Sequence, residues 1–248
     1  MRYELMFPWQ IRKAIDENWP VVLPTGVLEY HGEHCVTGVD TLVVVRAFDL
    51  LEKEMNIVIL PPFYYGASSY AVAKPERNGS VHVDAEAILP FAKQLFQSLL
   101  RIGFKNIHLF LHHQSENFNA GMPTDLSLRL AARQTIFAFL EKERGEDWWG
   151  GASGMKDYYE RHEAGDDPFS WISVHPFMST EIQKKYPIDH AGKQEVSLML
   201  AFCPEGVDMA RHSKEQWYAE TAQQASDEYG NAAKAEILAS LKKMLSKK

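Results

Sequence analysis

The sequence predicts an α/β fold in which helices cover both faces of a mostly parallel sheet. Short apolar runs alternate with amphipathic segments along most of the chain. That alternation is expected when each strand is followed by a helix that crosses back over the sheet. With 248 residues and 46% apolar composition, the chain can bury a sizeable core. We expect a single domain over residues 1–248.

Four short runs of apolar and β-branched residues are predicted to be the strands. Each run is bounded by Gly, Pro or Asn, as strands commonly are. In chain order the runs are WPVVLPTG (19–26), NIVILPPF (56–63), NIHLFLHH (106–113) and SWISVHPF (170–177).

The segments between these runs have the spacing of amphipathic helices. Residues 40–55 and 84–104 carry apolar residues at helical intervals, and each opens with an aspartate that could cap a helix. Pro90 leaves the start of the second helix open. Residues 124–145 and the alanine- and lysine-rich tail over 213–248 complete the predicted helices.

Residues 145–169 interrupt this alternation with a glycine-rich, charged and aromatic segment. Long excursions of this kind are commonly functional, and Trp148 and Trp149 are large apolar side chains to leave in water. We therefore expect an insertion at the rim of an active site. Candidate aromatic residues for the pocket wall are Tyr64, Tyr65, Tyr70, Trp148 and Trp149.

The charge balance and the cysteine count restrict the class of protein. A net charge of −7 disfavours nucleic acid and anionic membranes as partners, so a small-molecule substrate is expected. No run of about 18 apolar residues predicts a membrane span, and the first 15 residues do not resemble a signal peptide. Two cysteines, Cys35 and Cys203, fit a reducing cytoplasm, where we expect the protein.

The segment GVLEYHGEHCVTGVD (26–40), directly after the first predicted strand, concentrates possible metal ligands. Glu29 and His31 are two residues apart, so their side chains point to the same side of an extended chain. Asp40 follows, and nitrogen and carboxylate ligands together suit zinc, manganese or iron. Taken alone, Asp40 is better interpreted as a helix cap. The position of all three beyond a strand favours a site, because ligands gather there in open α/β sheets.

Two further polar clusters follow predicted strands. LFLHHQSEN ends a predicted central strand with His112 and His113 and then places Glu116 close by. DHAGKQEVSLML places His190 and Glu195 at the start of a helical stretch, where a plain capped helix is the alternative interpretation.

These three blocks resemble the creatininase family of metal-dependent amidohydrolases. The first block has the family pattern Glu-x-His-Gly-x-His, followed by an aspartate nine residues after the first histidine. The strand ending at His113, the element HAGKQEVSLML and the segment PPFYYGASSY also resemble family elements. The resemblance runs over about residues 20–208.

The resemblance implies a three-layer αβα domain that holds two divalent metal ions, such as Zn, Mn or Fe. Glu29 and His113 would hold one ion, His31 the other, and Asp40 would bridge them. It also implies a homo-oligomer such as a hexamer.

The fifth ligand stays open between Glu116 and Glu195. The family carries a glycine or a glutamate two residues after the ligand histidine, whereas Glu116 comes three residues after His113. Glu195 would otherwise lie near the reacting centre with His190, which is the candidate proton donor.

The implied activity is hydrolysis of a C–N amide bond in a small cyclic or formylated substrate by a metal-activated water. An alternative is a ring-opening C–C hydrolase that acts on a keto-inositol of the dehydro-inosose type. A non-catalytic binding protein on the same fold is the third hypothesis. It is disfavoured because Glu29, His31, Asp40 and His113 are all present.

Overall fold

A four-stranded parallel sheet forms the middle layer of the protein. The computed structural model describes residues 1–151 and 155–246. The strands are β1 (Val21–Thr25), β2 (Val58–Ile59), β3 (Ile107–Leu111) and β4 (Ile172–Pro176), in the order β2-β1-β3-β4. Each lies inside one of the four predicted runs, so these predictions are confirmed. β2 is only two residues long.

The strand register brings the carboxyl ends of three strands to the same edge of the sheet. Thr25 of β1 is level with Leu111 of β3, which is level with Pro176 of β4. The segments that leave these strands therefore emerge side by side. This edge is where open parallel sheets bind their ligands.

One face of the sheet is covered by α1 (Pro8–Asp16), α3 (Ala85–Ile102) and α4 (Pro123–Arg144). Val21 and Leu23 point to this face because alternate strand residues share a side. They belong to a buried cluster with Phe96 of α3 and Leu128 of α4. The pair α3 and α4 forms the outer layer here.

The opposite face is covered by α2 (Val39–Leu51), α7 (Lys193–Phe202) and α8 (Asp227–Leu245). Val22 of β1 and Phe110 of β3 point to this side and are buried with Phe48, Leu198 and Ile237. Helices therefore flank the sheet on both faces, which confirms the αβα architecture.

Two helix starts differ from their predictions. The N-cap of α2 is Gly38, so Asp40 is the second residue of that helix and caps nothing. Asp84 is the N-cap residue of α3, but its carboxylate makes no capping hydrogen bond and accepts one from His82 at 3.1 Å instead. Pro90 lies inside α3 and has no backbone N–H to donate to the carbonyl group of Glu86. Glu86 is exposed, so water can bond that carbonyl group instead.

Shorter helices complete the described chain. α5 (Tyr158–Glu163) lies within the predicted insertion, and α6 (Thr180–Lys185) follows β4. The predicted C-terminal tail contains a 3-10 helix at Trp217–Gln224 before α8. None of the described helices has the length and apolarity needed to cross a membrane.

Two partly buried histidines face each other across β3 and β4. His175 donates its Nε2–H to Nδ1 of His108 at 2.9 Å, and His108 donates its own Nε2–H to the Asn106 side chain at 2.7 Å. Burial, and then the neighbouring His175, lower the pKa of His108 to about 3. Burial lowers the pKa of His175 to about 4. The folded protein therefore keeps both imidazoles neutral.

We expect this pair to make the protein acid-sensitive. In the unfolded chain both histidines take up protons below about pH 6.5, whereas in the folded protein they resist protonation down to about pH 4. Their contribution to the free energy of unfolding is complete above pH 6.5 and is lost as the pH falls towards 4. In the double variant His108→Gln/His175→Gln, the free energy of unfolding should fall less steeply with decreasing pH than in the wild type. Urea unfolding at pH 7, 6, 5 and 4 measures this. Parallel declines in the variant and the wild type would contradict this account.

Candidate metal centre

The loop after β1 is held close to the start of α2. Glu29 donates its backbone N–H to the carbonyl group of Thr37 at 3.0 Å, which closes the loop on itself. A Cβ at Gly26 would lie 2.5 Å from Thr41 Oγ1 and 2.6 Å from the backbone carbon of Asp40. Only glycine allows so close an approach. The approach places Glu29 and Asp40 at the same point of the sheet edge.

One group of possible ligands consists of Glu29, Asp40 and His113, whose ligand atoms lie within 4.8 Å of one another. Nδ1 of His113 is 3.4 Å from Glu29 Oε2 and 3.4 Å from Asp40 Oδ2. His113 reaches this point because it follows β3, the strand next to β1.

A second group consists of His31, Asp40 and Glu195. Nε2 of His31 lies 3.8 Å from Asp40 Oδ1 and 3.5 Å from Glu195 Oε2. His31 donates its Nδ1–H to the backbone carbonyl of Glu29 at 3.0 Å, so its Nε2 is the ring atom that faces the carboxylates.

The two groups share Asp40 through different oxygen atoms. Oδ1 faces His31 and Oδ2 faces His113. The side chain is 2% exposed, so this carboxylate is not a solvated charge at a helix start. Burial opposes ionisation, but His31 and His113 beside it hold the pKa of Asp40 below its usual range.

Glu195 reaches the centre from the first turn of α7. Its Oε2 accepts the backbone N–H of Ala191 at 2.7 Å, and Asp189 accepts the backbone N–H groups of Gln194 and Glu195 in return. His34 donates its Nε2–H to the Ala191 carbonyl at 3.0 Å and holds the turn in place. Burial, followed by the charges of Asp40 and Asp189, raises the pKa of Glu195 well above its usual value.

Glu116, the other candidate for the fifth ligand, is exposed in the wall of the cavity. Among residues 1–151 and 155–246, it belongs to none of the groups with metal-binding geometry. The arrangement therefore favours Glu195, which lies in the first turn of the helix and five residues beyond His190.

His190 lies in the turn before α7 and stacks on His31, with ring centroids 4.3 Å apart. It donates its Nε2–H to the carbonyl group of Tyr30 at 2.9 Å, which leaves Nδ1 as the proton-accepting atom. Burial, and then His31, lower the pKa of His190. With Glu29 and His31 it forms a third group of closely spaced ligand atoms.

The side chains of the centre are spaced as ligands of a cation would be, and some of their polar atoms have no hydrogen-bond partner among the described residues. The contacts of 3.4–3.8 Å are too long for good hydrogen bonds. Three of them lie within the spacing of roughly 3–3.6 Å between atoms that are each about 2.0–2.2 Å from one ion, and the contact between His31 and Asp40, at 3.8 Å, is slightly longer. His31 Nε2 and Asp40 Oδ2 are buried without a hydrogen-bond partner among the described residues. The mixed imidazole and carboxylate set fits zinc, manganese or iron.

Two carboxylates hold His113 in its charged form when no cation is present. Burial alone would lower its pKa, but Asp40 and Glu29 raise it to about 10. A proton on His113 thus compensates part of the negative charge of the centre. A divalent cation would replace that proton, since ligation needs the neutral ring.

A cavity of about 600 Å³ opens above the centre. It is lined by ligand side chains and by polar residues of the segment 68–72, by Gln114, and by Trp217 and Tyr218. Trp217 and Tyr218 were not predicted from the sequence, because they lie outside any recognisable motif. None of the five aromatic residues predicted for the pocket wall is among the lining residues that the structure describes.

The insertion at 145–169 contributes no described residue to that lining. Trp148 packs against the core beneath α3 and α4, with the Arg144 guanidinium 4.8 Å above its ring. Residues 152–154 lie outside the described chain. A role for the insertion at the rim stays a prediction.

We expect the variant Gly26→Ala to disturb the centre, because its methyl group would press on the backbone of Asp40. The free energy of unfolding should fall by about 1–3 kcal/mol, as in other overpacked sites. Binding of Mn²⁺, followed by calorimetry, should weaken as Asp40 is displaced. Gly38→Ala is the matched control, since its methyl group would meet only the flexible Leu42 side chain at 3.2 Å. Equal Mn²⁺ affinity in Gly26→Ala and the wild type would rule out this role for the close approach.

Comparison with known proteins agrees with this geometry. The sequence model of the family described as creatinine amidohydrolase matches residues 6–240. Creatinine amidohydrolase of Pseudomonas putida is 25% identical over 193 residues, which cover 77% of this chain and 67% of that protein. The 3-dehydro-scyllo-inosose hydrolase of Thermotoga maritima is 26% identical over 115 residues, which cover 46% of this chain but only 36% of that protein.

The fold is also similar to that of a solved relative. A crystal structure of creatinine amidohydrolase (creatininase) superposes with a TM-score of 0.66 at 20% identity, over 97% of this chain and 94% of the other. The family match spans both faces of the sheet and all of the ligand-bearing segments. The chain therefore belongs to the creatininase family of metal-dependent hydrolases.

Proposed function

We propose that this hydrolase holds two divalent cations and cleaves a C–N amide bond in a small cyclic or formylated substrate. Glu29, Asp40 and His113 would bind one cation, and His31, Asp40 and Glu195 the other. The observation that carries the proposal is the pair of ligand groups that share Asp40 through its two oxygen atoms.

Nitrogen and carboxylate ligands accept several transition metals, so availability contributes to the choice of cation. Related creatininase structures include a manganese form, with a TM-score of 0.65, and a mutant of the Zn–Zn type, with a TM-score of 0.64. We propose zinc or manganese, with iron as the remaining candidate. When bound, such cations supply Lewis-acid activation of a water molecule and of the carbonyl group that it attacks.

His190 is proposed to move the proton. Its Nε2–H is committed to the Tyr30 carbonyl, so Nδ1 takes the proton from the attacking water. The water oxygen bonds to the carbonyl carbon, the C–N bond breaks, and Nδ1 returns the proton to the leaving nitrogen. Because the pKa of His190 is lowered, its protonated form is a good acid.

The cavity supports a small, polar substrate. Ser68 and Ser69 line it and can exchange hydrogen bonds with substrate oxygen and nitrogen atoms. Gln114 also lines it, but its side chain already bonds the backbone carbonyl and N–H groups of Met178. Trp217 lines its mouth with 84% of its surface exposed, which leaves an aromatic face free to cover a bound ring. A cavity of about 600 Å³ is in the usual size range for small-molecule sites.

The second candidate is ring-opening C–C hydrolysis of a keto-inositol of the dehydro-inosose type. It is supported by the partial similarity to the Thermotoga maritima hydrolase and by the serine hydroxyl groups in the cavity lining. The two reactions would use the same ligand groups, so only substrates can separate them.

The experiment that tests the function is a substrate panel with the metal-loaded enzyme. The panel compares kcat/KM for cyclic amides, formamides and inosose-type ketones. The variant His190→Ala, which lacks the proposed proton carrier, gives the background rate. We expect hydrolysis within the amide set, reduced by about 10²–10⁴-fold in His190→Ala. Turnover confined to the ketones would establish the second candidate instead.

Two glutamine substitutions distinguish the proposed ligand Glu195 from Glu116. Glu195→Gln should lose one of two bound metal equivalents, because the amide is a poor ligand at a position that faces His31 at 3.5 Å. Glu116→Gln should keep both, since Glu116 is exposed and outside the ligand groups. Metal content by mass spectrometry and kcat are the measurements. Loss of metal in Glu116→Gln alone would reverse the assignment.

The homo-oligomeric state and the cytoplasmic location expected from the sequence stay predictions. Light scattering of the metal-loaded protein would measure the first of these, with a hexamer as the expected assembly.

A further inference from the structure

His112 is a buried histidine that the proposed reaction does not use. It lies directly after β3, beside His113, and is 3% exposed. Neither of its ring nitrogens has a hydrogen-bond partner among the described residues. The ring packs edge-on against Phe177, with centroids 5.6 Å apart.

The Nε2 atom of His112 faces the carboxylate of Glu195. The distance from Nε2 to Glu195 Oε1 is 3.7 Å, slightly too long for a hydrogen bond. The other carboxylate oxygen, Oε2, accepts the Ala191 N–H and lies 3.5 Å from His31. Glu195 is thus placed between His112 on one oxygen and His31 on the other.

A buried imidazole without a partner is destabilising and needs an explanation. Leaving such a polar group unpaired opposes folding, whereas an apolar side chain of similar size would pack beside Phe177 without that penalty. Its Nε2 faces the Glu195 carboxylate at 3.7 Å, which can accept the proton that the nitrogen carries. Residues that hold a ligating carboxylate by its second oxygen are a regular part of metal sites.

His112 is not placed as a ligand itself. It belongs to none of the three ligand groups found among residues 1–151 and 155–246, although His113 beside it does. Its contact with the centre passes through Glu195.

We propose that His112 is a positioning residue that donates its Nε2–H to Oε1 of Glu195 and thereby presents Oε2 to the cation shared with His31 and Asp40. The inference rests on the proposed role of Glu195 as a ligand. A closure of about 0.5–1 Å brings the two atoms to hydrogen-bond distance. The other oxygen of Glu195 keeps its hydrogen bond to the Ala191 N–H.

The test is a Mn²⁺ titration of metal-free protein by calorimetry, with three proteins compared. His112→Leu removes the donor and keeps the volume, and His112→Gln keeps an N–H donor. In His112→Leu the first equivalent should bind as in the wild type, while the second should bind about 10–100-fold more weakly. His112→Gln should recover most of that loss.

His108→Leu is the matched control, because His108 is a partly buried histidine at the other end of β3, away from the metal centre. It should bind both equivalents with wild-type affinity. Thermal unfolding of each metal-free variant shows whether it folds, and His112→Met replaces the leucine variant if that protein does not.

Four outcomes decide the matter. Wild-type affinity for both equivalents in His112→Leu would overturn the inference, and so would equal losses in His112→Leu and His112→Gln, which indicate packing or direct ligation. Fewer than two equivalents in the wild type would instead refute the proposed two-cation function itself. Selective loss in His112→Leu with recovery in His112→Gln is the supporting result.

Discussion

The buried carboxylate of Asp40 is the point on which the rest of the structure depends. It faces His31 with one oxygen and His113 with the other, so the loop after β1 and the end of β3 must meet at the start of α2. The meeting requires the parallel register of β1 and β3 and the missing side chain at Gly26. A shift of either strand by one residue would turn these side chains away from one another.

Three buried carboxylates at this point repel one another, and the surrounding residues compensate only part of their negative charge. Glu29, Asp40 and Glu195 lie close together away from water, where unpaired charges are strongly disfavoured. A proton on His113 and the raised pKa of Glu195 reduce the negative charge. Divalent cations would neutralise it more completely, which explains why a metal-dependent hydrolase can keep so polar a cluster inside its core.

Backbone groups hold the second half of the centre. The turn between Asp189 and the start of α7 is tied by reciprocal hydrogen bonds, and His34 anchors it to the first loop. α7 itself packs on α8 and on the sheet face opposite α4. Glu195 in the first turn of α7 and His190 in the preceding turn are held by these contacts, whereas the cavity above them is bordered by the segment 68–72 and by Trp217. The proposed ligand and proton carrier therefore come from a different part of the chain than the residues that border the cavity.

The sequence by itself determined the layered α/β architecture and identified the side chains that meet at the centre. Glu29, His31 and Asp40 could be found because they are close in sequence and follow an apolar run, and the pair His112 and His113 because it ends one. The family resemblance placed the ligand at His113 and gave no role to His112, and the choice between Glu116 and Glu195 was left open. Two consecutive histidines differ only in the direction of their side chains, and Glu195 is remote in sequence from its partners. Those relations were decided by tertiary structure, because only the packing of α7 and of the 217–224 helix against the sheet edge sets which distant side chains come together.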